Sequence, residues 1–173
     1  MLVSKRTVHE LALDGDIRSV QELAQSKPGC IQTKDDSGRL PLHWAVSKGH
    51  TELAAWFLDQ TKEADTPDES GWTPLIIAAS AGHSDLLKLL LDNGAEVNRT
   101  TDQGRTALLY AASKGRTELV AELINKGADV NKSDQLGATP LHRASGPGHA
   151  DVVRVLLAAD NTIVDCQDRY GNT

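Results

Sequence analysis

Apolar residues recur along the chain in a pattern that is typical of pairs of short helices. Between Ser84 and Asn93, four leucines fall at helical spacing on one face: Leu86, Leu87, Leu90 and Leu91. A shorter apolar segment precedes them. It begins at Thr73, whose hydroxyl suits a helix N-cap, and ends at Gly82, which tolerates the left-handed conformation. The pattern predicts two helices joined by a tight turn.

The same pattern returns with a nearly constant period. Five turn glycines are separated by 33, 33, 33 and 34 residues: Gly38, Gly71, Gly104, Gly137 and Gly171. After each of the first four comes a variant of one word: RLPLHWAVSKGH, WTPLIIAASAGH, RTALLYAASKGR and ATPLHRASGPGH. A 33-residue period with T-P-L-H-x-A is the signature of the ankyrin repeat. It predicts an all-α solenoid of stacked helix-turn-helix units with β-turn or hairpin loops, since one unit cannot bury its apolar face alone.

The period divides the chain into one domain, residues 1–173, with repeats at about 4–35, 36–68, 69–101, 102–134 and 135–168 and a partial sixth at 169–173. The first repeat lacks the T-P-L-H word. Thr61 to Asp65 (TKEAD) replaces the GAEVN of the following repeat, so we expect this linker to pack less well. The sixth repeat stops before its helices, and we expect a shortened form of a longer array that leaves the fifth repeat without a neighbour on one side.

Composition narrows the classes of function. Net charge is −6 and no Lys/Arg run reaches four residues, which argues against nucleic-acid binding. The apolar stretches are too short for a membrane span, and the N-terminus MLVSKRTVHELALDGD lacks the pattern of a signal peptide. Cys30 and Cys166 lie far apart, and we expect free thiols in a reducing compartment.

The histidines do not indicate catalysis or metal binding. Five of the six occupy recurring places in the repeat: His43, His50, His83, His142 and His149. We expect them to hydrogen-bond turn backbone or threonine hydroxyls, and His9 alone has no place in the pattern. No histidine, cysteine and carboxylate cluster has the spacing of metal ligands. We therefore predict a protein that is not an enzyme and has no metal or cofactor.

Function is expected where the copies differ. Four rows vary from repeat to repeat: Arg39, Trp72, Arg105 and Ala138; Trp44, Ile77, Tyr110 and Arg143; Ser47, Ser80, Ser113 and Gly146; Lys48, Ala81, Lys114 and Pro147. Trp, Tyr and Arg are enriched at binding hot spots, and mixed charges suit a charged partner. The alternative is that Trp44 and Trp72 fill space between repeats and the charges are solvated tips. The predicted partner-binding residues are Asp36, Arg39, Trp44, Lys48, Asp68, Glu69, Trp72, Arg105, Tyr110, Lys114 and Arg143.

These variable residues also carry a more specific resemblance. Trp44, Trp72, the segment Tyr110–Lys114 and His142-Arg143-Ala144 make the chain similar to the opening repeats of the gankyrin family, and IVDCQDRYGNT resembles the start of that family's sixth repeat. The likeness covers nearly the whole chain and is weakest before Gln32.

The resemblance implies a non-catalytic chaperone that assembles the regulatory particle of the proteasome. In that family, the concave face grips the C-terminal domain of a proteasomal ATPase through complementary charges. Arg39, Glu69 and Lys114 fall on family contact positions, whereas the acidic turn residue of the second repeat falls on Ser37, beside Asp36.

Other partners of that family are a cyclin-dependent kinase, a p53-directed E3 ligase and the retinoblastoma protein. The alternative function is thus a regulator of a kinase or transcription factor. We expect a monomer in the cytoplasm and nucleus.

Overall fold

The computed structural model describes residues 6–173, so the start of the first predicted repeat at residue 4 and the beginning of the segment tested for a signal peptide lie outside the described residues. The described chain forms a short 3₁₀ helix, Pro28–Gln32, and these α-helices: α1 Val8–Asp14, α2 Ile17–Ser26, α3 Pro41–Lys48, α4 Thr51–Thr61, α5 Pro74–Ala81, α6 Ser84–Asp92, α7 Ala107–Ser113, α8 Thr117–Asn125, α9 Pro140–Ser145 and α10 Ala150–Leu157. Residues 6–173 contain no β-strand.

The helices are arranged as stacked pairs in two layers. The first helices of the pairs (α1, α3, α5, α7 and α9) contact one another in chain order, and α4, α6, α8 and α10 do the same behind them. Each unit therefore completes the core of its neighbour, which is the basis of solenoid stability. The predicted all-α solenoid is confirmed.

Small residues permit the close stacking of the first helices. Ala78 and Ala79 of α5 and Ala111 and Ala112 of α7 are fully buried. On α6, Leu86, Leu87 and Leu90 are buried, as predicted, while Leu91 is half-buried. Leucine from the second helices and alanine from the first thus build a core that needs few aromatic residues.

The predicted capping is present. The Thr73 hydroxyl accepts a hydrogen bond from the backbone N–H of Ile76 at 3.3 Å, and Gly82 closes α5 with a φ of 90°. The TKEAD linker satisfies its groups less well than the linker that follows it. Asp65 Oδ1 is buried without a hydrogen-bond partner among residues 6–173, whereas the equivalent Asn98 bonds to the backbone of Gly127 and Asp129. Lys62 takes a φ of 57°, a backbone conformation that residues with a side chain rarely adopt.

A row of side chains links each repeat to the one before it. His50, His83 and His149 place Nε2 at 3.0, 3.4 and 3.2 Å from the carbonyl oxygens of residues 13, 47 and 113, near the ends of α1, α3 and α7. Arg116 occupies the same row and donates to the Ala81 carbonyl at 3.4 Å. The expected bonding of these three histidines to backbone is confirmed, and we call the four residues the interrepeat row.

Of the two T-P-L-H histidines, His142 bonds across repeats and His9 does the same, whereas within the described chain His43 accepts only from the Leu40 N–H of its own repeat. His142 Nε2 lies 3.0 Å from the carbonyl oxygen of Asn172, the residue after a turn glycine. His9 Nε2 lies 3.2 Å from the carbonyl oxygen of Arg39, which also follows a turn glycine. The interpretation of His9 as a residue outside the pattern is therefore wrong. Because the first repeat lacks the T-P-L-H word, the sequence does not show that His9 is equivalent to His142.

At the C-terminal end of the stack, apolar side chains face outward. Leu157, Ile163 and Val164 are each about half exposed, beside a pocket of about 350 Å³ between α9, α10 and the last loop.

The two cysteines are not bonded to each other: Cys30 is buried and Cys166 is half-buried. No helix within residues 6–173 is long and apolar enough to cross a membrane.

Candidate functional site

The loops between repeats are built around one recurring acceptor. Three residues before each turn glycine stands Asp35, Asp68, Thr101, Asp134 or Asp168, which we call the turn-acceptor row. In Asp68, Oδ1 accepts from the backbone N–H groups of Ser70 and Trp72, both at 2.9 Å. Asp35, Asp134 and Asp168 accept two equivalent N–H groups each. The side chain therefore fixes the shape of the turn.

Neighbouring loops are hydrogen-bonded side by side. The N–H of Glu69 donates to the Ser37 carbonyl at 3.1 Å, and the N–H of Asp102 donates to the Ser70 carbonyl at 3.0 Å. A Cβ on Gly71, which has a φ of 77°, would come within 3.0 Å of the Thr101 and Asp102 backbone. Glycine is thus required there for the loops to approach. The predicted turn loops form a regular edge that holds its side chains at fixed spacing.

The second carboxylate oxygen of the turn-acceptor row holds variable side chains in place. Asp68 Oδ2 accepts from Arg39 Nε at 2.9 Å, and Asp35 Oδ2 accepts from the indole N–H of Trp44 at 2.8 Å. Asp134 Oδ2 accepts from Arg143 Nε at 3.1 Å and lies 3.5 Å from Arg105 Nε. These contacts join two of the rows predicted from sequence into one surface.

Hydrogen bonding controls the charge of these carboxyl groups. Burial opposes ionisation of Asp134, but hydrogen bonds from Arg143 and from two backbone N–H groups outweigh it and hold the pKa below its ordinary value. Burial likewise opposes ionisation of Asp35, and hydrogen bonds from backbone N–H groups and from Trp44 lower its pKa. Both groups are therefore carboxylates at neutral pH.

Thr101 breaks the acidic row, and the side chains around it change accordingly. The threonine side chain is uncharged and has no second oxygen atom that could pair with a cation. The two variable positions beside it hold Trp72 and Tyr110, whose ring centroids lie 4.6 Å apart with planes tilted by 38°. Aromatic contact replaces the ion pairs found in the neighbouring repeats.

A guanidinium group lies over the ring of Trp44 and another lies over the ring of Tyr110. Arg39 Cζ lies 5.3 Å from the ring centroid of Trp44, and Arg105 Cζ lies 5.7 Å from that of Tyr110. We call the resulting surface the recognition strip: Arg39, Trp44, Trp72, Arg105, Tyr110 and Arg143. A shallow pocket of about 200 Å³ opens in it between Arg39, Trp72 and Ile77.

The predicted binding residues differ in accessibility. Exposed residues are Asp36, Lys48, Glu69 and Lys114; half-buried ones are Arg39, Trp44, Trp72, Arg105 and Arg143; buried ones are Asp68 and Tyr110. Asp68 thus positions Arg39 and has little surface to offer. Contact of these eleven residues with a partner stays a prediction.

Sequence reasoning missed Asp35, Thr101 and Asp134 as the residues that organise this surface. A signal was present in the chain, since an acidic or hydroxyl residue recurs three positions before every turn glycine. Trp56, by contrast, packs edge-on against Phe57 at 5.4 Å between ring centroids on α4, away from the strip. No group of three or more His, Cys, Asp or Glu side chains suited to a metal ion occurs in the described part of the chain.

Comparison with known proteins agrees with this architecture. The family model described as "Ankyrin repeats (3 copies)" matches residues 8–101 and 96–168. The chain belongs to the ankyrin-repeat family, whose stacked units present extended binding surfaces, and it is a protein-binding module.

A curated relative adds a more particular similarity. The "Probable 26S proteasome regulatory subunit p28" of Saccharomyces cerevisiae is 36% identical over 63 residues. The match covers 36% of this chain and 28% of the relative.

Proposed function

We propose that the protein is a non-catalytic chaperone in assembly of the proteasome regulatory particle. The partial similarity to the yeast proteasome regulatory subunit carries this proposal, and the resemblance to the gankyrin family supports the same assignment. The proposed partner is the C-terminal domain of a proteasomal ATPase. The site of action is proposed to be in the cytoplasm and nucleus.

The chemistry of the surface supports a charged protein partner. Half-buried Trp44 and Trp72 lie among arginines, and exposed Lys48 and Lys114 stand at the ends of α3 and α7. Exposed Asp36 and Glu69 supply the opposite sign at the loop tips. A surface with both signs in a fixed arrangement selects the register and orientation of a partner.

Titration with an isolated proteasomal ATPase C-terminal domain tests the proposal. Trp44 and Trp72 are the reporters, and Trp56→Phe removes the tryptophan that packs away from the strip. We expect saturable change in tryptophan fluorescence at a one-to-one ratio. A correctly folded chain that binds none of the proteasomal ATPase domains would refute the proposal. Binding of a cyclin-dependent kinase in their place would support the alternative function.

Reversal of one exposed charge locates the contact. Lys114→Glu should weaken binding of the ATPase domain about tenfold or more, because it places like charges against an acidic partner. Lys88→Glu makes the same change at an exposed position of α6, and should leave the dissociation constant within about twofold. Equal effects of the two variants on the dissociation constant, measured by fluorescence titration, would contradict a contact at Lys114.

A further inference from the structure

Asp134 is shared by two arginines. Its side chain is 1% exposed, and its Oδ1 is occupied by the N–H groups of Leu136 at 2.9 Å and Ala138 at 3.2 Å. Its Oδ2 accepts from Nε and Nη2 of Arg143 and lies 3.5 Å from Nε of Arg105. One carboxylate thus faces two guanidinium groups, which leaves one positive charge in excess.

This excess distinguishes Asp134 within the described turn-acceptor row. Asp68 pairs with Arg39, and the position equivalent to Arg143 holds Ile77. Asp35 receives the neutral indole of Trp44. Among the turn acids of residues 6–173, only Asp134 forms ion pairs with two cations.

Both guanidinium groups are held in place while part of each faces solvent. The side chains of Arg105 and Arg143 are 32% and 27% exposed. The Tyr110 ring and Asp134 fix Arg105 from two directions. No hydrogen bond among residues 6–173 uses the Nη atoms of Arg105. Donors that are already oriented lose less entropy when a ligand binds.

We infer that Arg105 and Arg143, gathered around Asp134, form a receptor for a single aspartate or glutamate side chain of a protein partner. A guanidinium fork matches the planar carboxylate, and one negative charge neutralises the excess positive charge. A phosphate dianion would overcompensate that single charge beside the buried carboxylate of Asp134. Half-buried Trp72, which contacts the Tyr110 ring, offers an apolar surface to the CH₂ groups of the acidic side chain.

The inference rests on the proposed function only in that the ligand belongs to a protein bound along this surface. It is therefore tested with a short peptide and without any ATPase domain. The probe is the capped peptide acetyl-Ala-Glu-Ala-amide, and the matched control peptide has glutamine in place of the glutamate. Nε–Hε resonances of Arg39, Arg105 and Arg143 in ¹⁵N-labelled protein report on binding.

We expect the glutamate peptide to move the Arg105 and Arg143 resonances in a saturable way, whereas the glutamine peptide moves neither and Arg39 stays still. Arg105→Gln should abolish the saturable shift at Arg143, and Arg39→Gln should preserve it. Circular dichroism checks that each variant is folded. If Arg105→Gln does not fold, Arg105→Lys keeps the charge without the fork and should weaken binding at least about fivefold.

Two results would overturn the inference: absence of a saturable shift, or equal shifts with both peptides. Failure of the two proposals is distinguishable. A chain that binds the glutamate peptide but no ATPase domain keeps the receptor and loses the proposed function. A chain that binds an ATPase domain but ignores the peptide loses the receptor alone.

Discussion

At the scale of the residue, one position in each loop determines the chemistry of its surroundings. Aspartate at this position is accompanied by arginine or an indole N–H, as at Asp68 and Asp35. Threonine at the same position, Thr101, is accompanied by two aromatic rings in tilted contact. A buried carboxylate is stable only when it is paired, so the neighbouring positions are coupled to the identity of the acceptor.

This coupling predicts the outcome of an exchange at Thr101, which is 4% exposed. Thr101→Asp should lower the free energy of unfolding by about 1–3 kcal/mol, because it buries a charge among aromatic rings. Adding Tyr110→Arg supplies the cation that Arg143 gives to Asp134, and should recover about 1 kcal/mol or more. Urea denaturation of the two single variants and the double variant measures the coupling. Additive effects would contradict it.

A second prediction at this scale concerns pH. Burial lowers the pKa of His43 below its ordinary value of 6.5, while the charge of Asp68 opposes the change. Nδ1 of His43 accepts from the Leu40 N–H at 3.0 Å, and Nε2 is buried without a hydrogen-bond partner. Between 6.5 and the lower pKa of the folded chain, the unfolded chain therefore binds a proton at His43 that the folded chain does not bind, so a fall in pH through this range lowers the free energy of unfolding.

His43→Gln should flatten the dependence of stability on pH as the pH falls from about 7 to 5, because the titrating group is gone. Urea denaturation at several pH values measures this dependence. His142→Gln removes the histidine at the same place of another repeat, and that variant should keep the contribution of His43. A His43→Gln variant with the slope of the parent would show that His43 titrates alike in the folded and unfolded chains.

At the scale of the element, burial differs sharply between adjacent residues of a helix. On α10, Leu156 is fully buried, whereas Leu157 is 51% exposed. The helix lies against α8 and α9 on its inner side. Its outer side meets solvent in the described chain, so the same residue type has two unequal roles one position apart.

Alanine substitution should separate these roles. Leu156→Ala should lower the free energy of unfolding by about 2–4 kcal/mol through lost burial and a cavity. Leu157→Ala should change it by no more than about 0.5 kcal/mol. Urea denaturation of this pair gives the comparison. A large loss from Leu157→Ala would mean that its side chain is covered in solution.

How far the sequence predicts the structure also differs between elements and site. The helices follow from the period, and Thr73 and Gly82 mark the start and end of α5. The variable rows were recognised in the sequence. The contact of Arg39 with Asp68 was not, because the two residues lie 29 positions apart in different repeats and no local pattern joins them. His9 was missed for a similar reason, since its partner Arg39 lies in the next repeat.

At the scale of the whole molecule, the chain is a linear stack in which each repeat contacts its neighbours. The first helices form one layer, the second helices form another, and the loops form a hydrogen-bonded edge. Stability in such a stack is approximately a sum of repeat and interface terms. Length should therefore change by whole units without loss of the fold.

Deletion of residues 72–104, which spans 33 residues, tests this expectation. It joins Gly71 to Arg105 and recreates the junction found at Gly104. The product should stay helical and unfold cooperatively, with a denaturant m-value roughly a fifth lower, since m scales with the surface exposed on unfolding.

Deletion of residues 72–99 is the control, since it removes 28 residues and breaks the period. We expect this product to lose cooperative unfolding. Similar circular dichroism and unfolding curves for the two products would contradict the dependence on register.

The interrepeat row gives the stack a direction. His50, His83, Arg116 and His149 each reach back to a carbonyl of the preceding repeat. Asp16 occupies the corresponding place in the first repeat, where its carboxylate caps α2 through the Ser19 N–H at 3.1 Å. Set behind another repeat, Asp16 would face a carbonyl oxygen and repel it. The repeats are therefore not interchangeable in order. A chain in which the first repeat was placed behind another repeat would keep its helices but would lose the hydrogen bond between those two repeats.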